Sequence, residues 1–155
     1  MTGTMLNQPV PDFELPATAG KTFKLSQFKR RRLVIYFYPK DNTPGCTTES
    51  MQFRDAYAEF RAHNCEIVGI SRDSLKSHEG FKAKLVLPFD LLSDSEEIAC
   101  QLFDVIKMKN LYGKQVRGIE RSTFVIDKKG ALVKEWRGVK VPNHVQEVLD
   151  YIKSS

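Results

Sequence analysis

Two stretches of the chain, LVIYFYP (33–39) and CEIVGIS (65–71), are almost unbroken runs of apolar residues. Runs of this length without alternation predict strands buried on both faces of a largely parallel sheet. Between them the period changes. Phe53, Ala56, Tyr57 and Phe60 recur at i, i+3, i+4 and i+7, which predicts a helix with one apolar face. Strand, helix and strand make a βαβ unit, right-handed by the general rule for parallel crossovers.

Downstream, residues 74–86 (SLKSHEGFKAKLV) predict a second helix, and LPFDLLSD (87–94) predicts a short strand or extended segment. Ser93 with Glu96, or Asp94 with Glu97, offers a capping box for a short helix carrying Ile98, Ala99, Leu102 and Phe103. Residues 105–120 show little pattern and are expected to form a loop. STFVID, the turn KKG and ALVKEW (122–136) predict a hairpin. Val145, Val148, Leu149 and Ile152 repeat the helical stripe near the end of the chain.

This order of elements predicts an α/β architecture, a thioredoxin-like fold whose central mixed sheet is flanked by helices on both faces. DFELPATAGKTFKLSQF (12–28) is expected to add an N-terminal hairpin extension. In that arrangement the end of strand 33–38 lies beside the start of an antiparallel strand at 122–127. Cys46 and Arg121 are thereby expected to meet across 75 residues of sequence.

The chain has 155 residues, 41% of them hydrophobic, which suits one core, and no linker or repeat divides it. A single domain over 1–155 is the expectation. The longest apolar run, Leu33 to Tyr38, is far short of the roughly 20 residues of a membrane helix. The start, MTGTMLNQPVPDFELP, lacks a basic segment followed by an apolar core, so no secretory signal is read and a cytoplasmic location is expected. The net charge is +5, and its densest run is KRRR at 29–32. That run precedes a strand and has no interleaved aromatics, so it reads as a solvated turn, and neither nucleic acid nor membrane is expected as a partner.

Cys46, Cys65 and Cys100 are odd in number and widely spaced, which argues for reduced thiols over a disulfide scaffold. No CxxC is present. His63 with Cys65 could supply two ligands where structural zinc wants four, so neither a metal nor another cofactor is expected. Cys65 heads an apolar strand and Cys100 sits in a short amphipathic helix, both readings of buried small hydrophobes.

Cys46 stands apart, in YFYPKDNTPGCTTES (36–50). Thr43 suits an N-cap and Pro44 the first helical position, where a missing N–H costs nothing. Cys46 then falls in the first turn, where free N–H groups and the helix dipole favour thiolate over thiol. Gly45 leaves the backbone open to a small substrate, Pro39 walls the pocket against water, and the Thr43 hydroxyl can donate to sulfur while accepting from an incoming O–H.

Pro39, Thr43 and Cys46 match the peroxiredoxin signature of Pro, three residues, Thr, two residues and Cys. With VPDFELPATAG, EIVGISRDS, LPFDLLSD and GIERSTFVID, nearly the whole chain resembles the bacterioferritin comigratory protein, or PrxQ, subfamily. The resemblance implies a thiol peroxidase acting on hydrogen peroxide and small alkyl hydroperoxides. It implies Cys46 as the peroxidatic cysteine passing through a sulfenic acid, Thr43 orienting the peroxide, and Arg121 stabilising both thiolate and leaving oxygen. It also implies Pro39 as a shield, with Gly45 and Glu49 at the substrate site. For Glu49, dipole compensation near a helix N-terminus is an equal explanation.

The chain departs from the subfamily in having no cysteine at either familiar resolving position. Met51 stands five residues after Cys46, and no cysteine lies between 66 and 99. A 1-Cys cycle completed by thioredoxin, glutaredoxin or a small thiol is therefore the favoured expectation, in a monomer. The alternatives are resolution by Cys100 or Cys65, pairing of two chains through Cys46, or a non-enzymatic redox sensor or holdase.

Overall fold

The computed structural model describes residues 4–28 and 30–155, so residues 1–3 of the segment read for a signal, and Lys29 of the basic run, lie outside it. The first apolar run forms β3 (Arg32–Phe37) and the second β4 (Cys65–Ser71), parallel and paired from Arg32↔Cys65 to Phe37↔Ile70. α1 (Pro44–Ala62) connects them, and α2 (Leu75–Leu85) leads on to β5 (Asp90–Ser93), parallel to β4. β8 (Ser122–Ile126) runs antiparallel along the other edge of β3, and β9 (Leu132–Arg137) pairs with β8. The expected mixed sheet with helices on both faces is present.

Alternation within β3 divides the core in two, because successive side chains of a strand point to opposite faces. Leu33, Ile35 and Phe37 enter a cluster with Phe103, Phe124 and the N-terminal segment. Val34, Tyr36 and Tyr38 enter another with α1, α2 and α4 (His144–Ser154). α3 (Ile98–Leu102) covers the first face. Gly69 of β4 is required by close packing: a Cβ there would stand 2.8 Å from the Tyr36 ring and 2.9 Å from Leu91. Tyr36 in turn touches α1, its hydroxyl 2.9 Å from Ser50 Oγ.

Several expectations are corrected. β1 (Glu14–Ala17) and β2 (Lys21–Lys24) form the expected hairpin, but β1 also joins the main sheet through Ala17↔Leu92, giving seven strands in the order β2-β1-β5-β4-β3-β8-β9. Residues 105–120 are not a loop: β6 (Ile106–Leu111) and β7 (Lys114–Ile119) form a separate two-stranded ribbon. Both its faces are largely in solvent, so no alternation of apolar and polar residues marked it.

Neither expected capping box forms at α3. Asp94 instead accepts from the N–H groups of Ile98 and Cys100, at 2.7 Å each, while the Glu97 carboxylate pairs with Arg72 and Arg117. Glu97 itself holds the N-cap position with a left-handed backbone at φ 61°, and the Ser93 hydroxyl donates to Asp73 O. Of the basic run, Arg32 donates to the carbonyls of His63 and Ile152, and Arg31 lies 3.6 Å from Glu66. Among the described residues no helix is long and apolar enough to cross a membrane.

Candidate active site

α1 begins at Pro44, with Thr43 in the N-cap position. The first helical bond runs from Thr47 N–H to Thr43 O at 2.9 Å, so the N–H groups of Gly45 and Cys46 belong to the unpaired set at a helix start. Thr43 does not cap with its side chain. Its hydroxyl donates to Lys40 O at 2.8 Å, which corrects the expectation of a proton given to sulfur and leaves its lone pairs to accept an O–H.

The face of α1 that fills the core includes Cys46, Glu49, Ser50, Phe53 and Phe60, a continuous stripe at helical spacing. Cys46 is thus the first member of a buried stripe and is only 1% exposed, whereas its polar neighbours had suggested an open setting. Pro39, Thr43 and Gly45 around it are half-buried.

Arg121 reaches this stripe from the turn just before β8, because Phe37 and Ser122 are register partners at the end of β3. Its Nη2 donates to Cys46 Sγ at 3.4 Å and its Nη1 to Glu49 Oε1 at 2.7 Å. A Cβ on Gly45 would stand 3.2 Å from Nη2, so the missing side chain makes room for the guanidinium.

Glu49 is fully enclosed, and its Oε2 has no partner among the described residues. Burial pushes its carboxyl up to about 7, against the pull of the Arg121 charge and hydrogen bond. Burial opposes the Arg121 charge too, but Glu49 and Cys46 outweigh it and hold the guanidinium above its ordinary value. Titration of the pair therefore falls on the carboxyl.

A second network braces the segment between β3 and α1, and sequence reasoning did not find it. Asp41 accepts from Tyr38 Oη at 2.6 Å and Ser77 Oγ at 2.8 Å, and pairs with His78 Nδ1 at 2.7 Å. Its backbone N–H donates to Asp73 at 2.9 Å. Burial raises the Asp41 carboxyl, yet the hydrogen bonds from His78, Tyr38 and Ser77 prevail and keep it below its ordinary value. His78 and Asp41 are buried side chains 37 positions apart on different elements, a pairing that only the phase of α2 could have indicated.

Cys65 and Cys100 are buried within opposite core clusters, 0% exposed. Burial pushes the Cys65 thiol up to about 12 and raises the Cys100 thiol further, with Asp94 adding to the second shift. A surface cavity of about 360 Å³, lined by Phe23, Tyr57, Lys82 and Phe89 among others, does not border Cys46.

Residues 6–135 match the model of the AhpC/TSA family. The chain belongs to that family, the peroxiredoxins. It is 51% identical to peroxiredoxin Bcp of Bacillus subtilis over 148 residues, covering 96% of this chain and 94% of the relative. A cysteine-to-serine mutant of PrxQ from Xylella fastidiosa superposes with a TM-score of 0.93 at 42% identity, over 99% of this chain and 98% of that one. The bacterioferritin comigratory protein of Xanthomonas campestris, whose structures trap an intermediate and a ligand complex of alkyl peroxide reduction, superposes with a TM-score of 0.88 at 48% identity. That match covers 92% of this chain and 90% of the other. The peroxiredoxin is accordingly a thiol peroxidase, with peroxide as oxidant and a thiol as reductant, and not a non-enzymatic sensor.

Proposed function

We propose that Cys46 is the peroxidatic cysteine of a 1-Cys cycle. The carrying observation is the Arg121 guanidinium, which bridges Cys46 Sγ at 3.4 Å and Glu49 Oε1 at 2.7 Å. A fixed cation beside the sulfur and the free N–H groups of Gly45 and Cys46 together face the point where negative charge moves during the reaction. The thiolate attacks the terminal oxygen of the hydroperoxide, an S–O bond forms as the O–O bond breaks, and the departing oxygen leaves as water or alcohol. Charge growing on that oxygen meets Arg121 and the Cys46 N–H. Thr43 accepts the peroxide O–H, Pro39 and Gly45 shape the entrance, and Glu49 orients Arg121 from behind.

The sulfenic acid so formed is reduced from outside. A thiol must reach sulfur to resolve it; Cys100 is buried in the other core cluster, and Cys65, although in the same cluster as Cys46, pairs with Arg32 at the far end of β3. The description of the Xanthomonas relative supports small alkyl hydroperoxides as substrates beside hydrogen peroxide. Three free thiols suit a reducing compartment, the cytoplasm, and a single domain acting as a monomer needs no second chain to complete the site.

Intact-mass measurement after one equivalent of peroxide tests this. A gain of one oxygen, lost in Cys46→Ser and kept in Cys65→Ser and Cys100→Ser, is expected. Loss of two hydrogens instead would establish an internal resolver, and a doubled mass a pair of chains.

A further inference from the structure

The β6–β7 ribbon is the most unusual surface of the molecule. Among the described residues it pairs with no other strand, which leaves both its outer edges open. Its turn, Tyr112–Gly113, has φ of 52° and 79°, the doubly positive geometry of a tight hairpin. Eight large hydrophobic residues are exposed among the described residues, and four lie on this ribbon: Met108, Leu111, Tyr112 and Val116. Tyr112 is 96% exposed, which burial in this chain alone does not explain.

The ribbon is also basic throughout. It carries Lys107, Lys109, Lys114 and Arg117 and no acidic residue. Lys107 is drawn to Asp104, and Arg117 with Arg72 clamps Glu97, which ties the ribbon base to the start of α3. The arm is continuous with the active site: β7 ends at Ile119, two residues before Arg121. On the facing strand, burial and the Arg121 charge lower the Lys109 ammonium, while the Cys46 sulfur acts on it in the opposite sense. From Lys109 to Leu111 at the tip is only about 7 Å at the ordinary rise of a strand.

We propose that this ribbon is the docking surface for the reductant, a dithiol protein whose attacking cysteine lies in an apolar patch with an acidic rim. The proposal rests on the 1-Cys reading, which requires electrons from outside. Exposed Tyr112 and Leu111 supply the apolar anchors typical of interface centres, and Lys114 supplies charge complementarity at the rim. A thiolate of the partner attacks the Cys46 sulfenic sulfur, forming a mixed disulfide and releasing the hydroxyl as water. The partner's second thiol then displaces the Cys46 thiolate and leaves as a disulfide, two electrons having passed inward.

The test compares peroxide turnover supported by dithiothreitol with turnover supported by a thioredoxin of low isoelectric point, recycled by its NADPH-dependent reductase. The Tyr112→Ser/Lys114→Glu variant is expected to raise KM for thioredoxin about ten-fold. Its dithiothreitol-supported turnover and its rate of Cys46 oxidation are expected to stay at the wild-type level. In the wild type, KM for thioredoxin should rise with ionic strength. Equal KM in wild type and variant, or an equal loss with dithiothreitol, overturns the docking surface. Wild-type turnover with dithiothreitol but none with thioredoxin also overturns it and leaves the peroxidase cycle standing. Absence of turnover with either reductant refutes the cycle itself.

Discussion

The guanidinium of Arg121 lies 2.7 Å from Oε1 of Glu49, a carboxyl that is wholly enclosed and whose other oxygen has no partner among the described residues. Removing one member of such a pair exposes the other to the full cost of burial, so its structural and chemical roles can be separated by substitution. Arg121→Ala is expected to lower stability by about 3 kcal/mol and to slow Cys46 oxidation by a factor on the order of 10² to 10³. Adding Glu49→Gln removes the stranded carboxyl and should restore most of the stability without restoring the rate. Stopped-flow oxidation and urea unfolding of both variants measure the two effects, and joint recovery of rate and stability would refute the electrostatic role of Arg121.

Glu49 also makes stability depend on pH. Its folded value of about 7 stands above the ordinary 4.5, so the folded state holds the proton more tightly than the unfolded chain. That contribution is complete below about pH 4.5 and is lost as pH rises through 7, an effect on the order of 3 kcal/mol. His144 acts in the opposite direction: burial lowers it to about 4, so its contribution is complete above 6.5 and fades toward acid. Comparing Cys46→Ser with Cys46→Ser/Glu49→Gln cancels His144 and the thiol. Unfolding at pH 5 and pH 8 should show the protein with Glu49 losing stability at the higher pH relative to its partner. A parallel response of the two proteins would mean that Glu49 does not titrate in this range.

The frame that holds these groups was readable because it depends on local periodicity. The runs at 33–39 and 65–71, the stripe through Phe53 and Phe60, and the repeat from Val145 to Ile152 each place their elements correctly. The Thr43–Pro44 pair marked the start of α1 and so put Cys46 in its first turn, and the pairing of β3 with β8 accounts for the approach of Arg121. The β6–β7 ribbon was missed because neither of its faces is consistently buried, so nothing alternates. The depth of Cys46 was missed because the residues beside it in sequence are polar, while those that enclose it are three and seven positions along the helix or on another strand.

The Asp41–His78 contact belongs to this long-range class and bears on how the Cys46 turn is held. Nδ1 of His78 lies 2.7 Å from the Asp41 carboxylate and Nε2 lies 2.9 Å from the carbonyl of Leu92, so both ring nitrogens face acceptors. The ring thereby ties the segment before α1 to α2 and to β5. Asp41→Asn keeps the shape but removes the charged acceptor from an enclosed hydrogen-bond network, and a loss of about 2 kcal/mol is expected. Tyr38 and Ser77, which also donate to Asp41, lose part of their acceptor at the same time. Because Asp41 lies five positions before Cys46, amide exchange should accelerate at residues 40–46 and 74–78 before it does so in β3 or β4. Cys46 oxidation should slow as the turn loosens. Unchanged exchange in Asp41→Asn would show that the turn is held by its backbone alone.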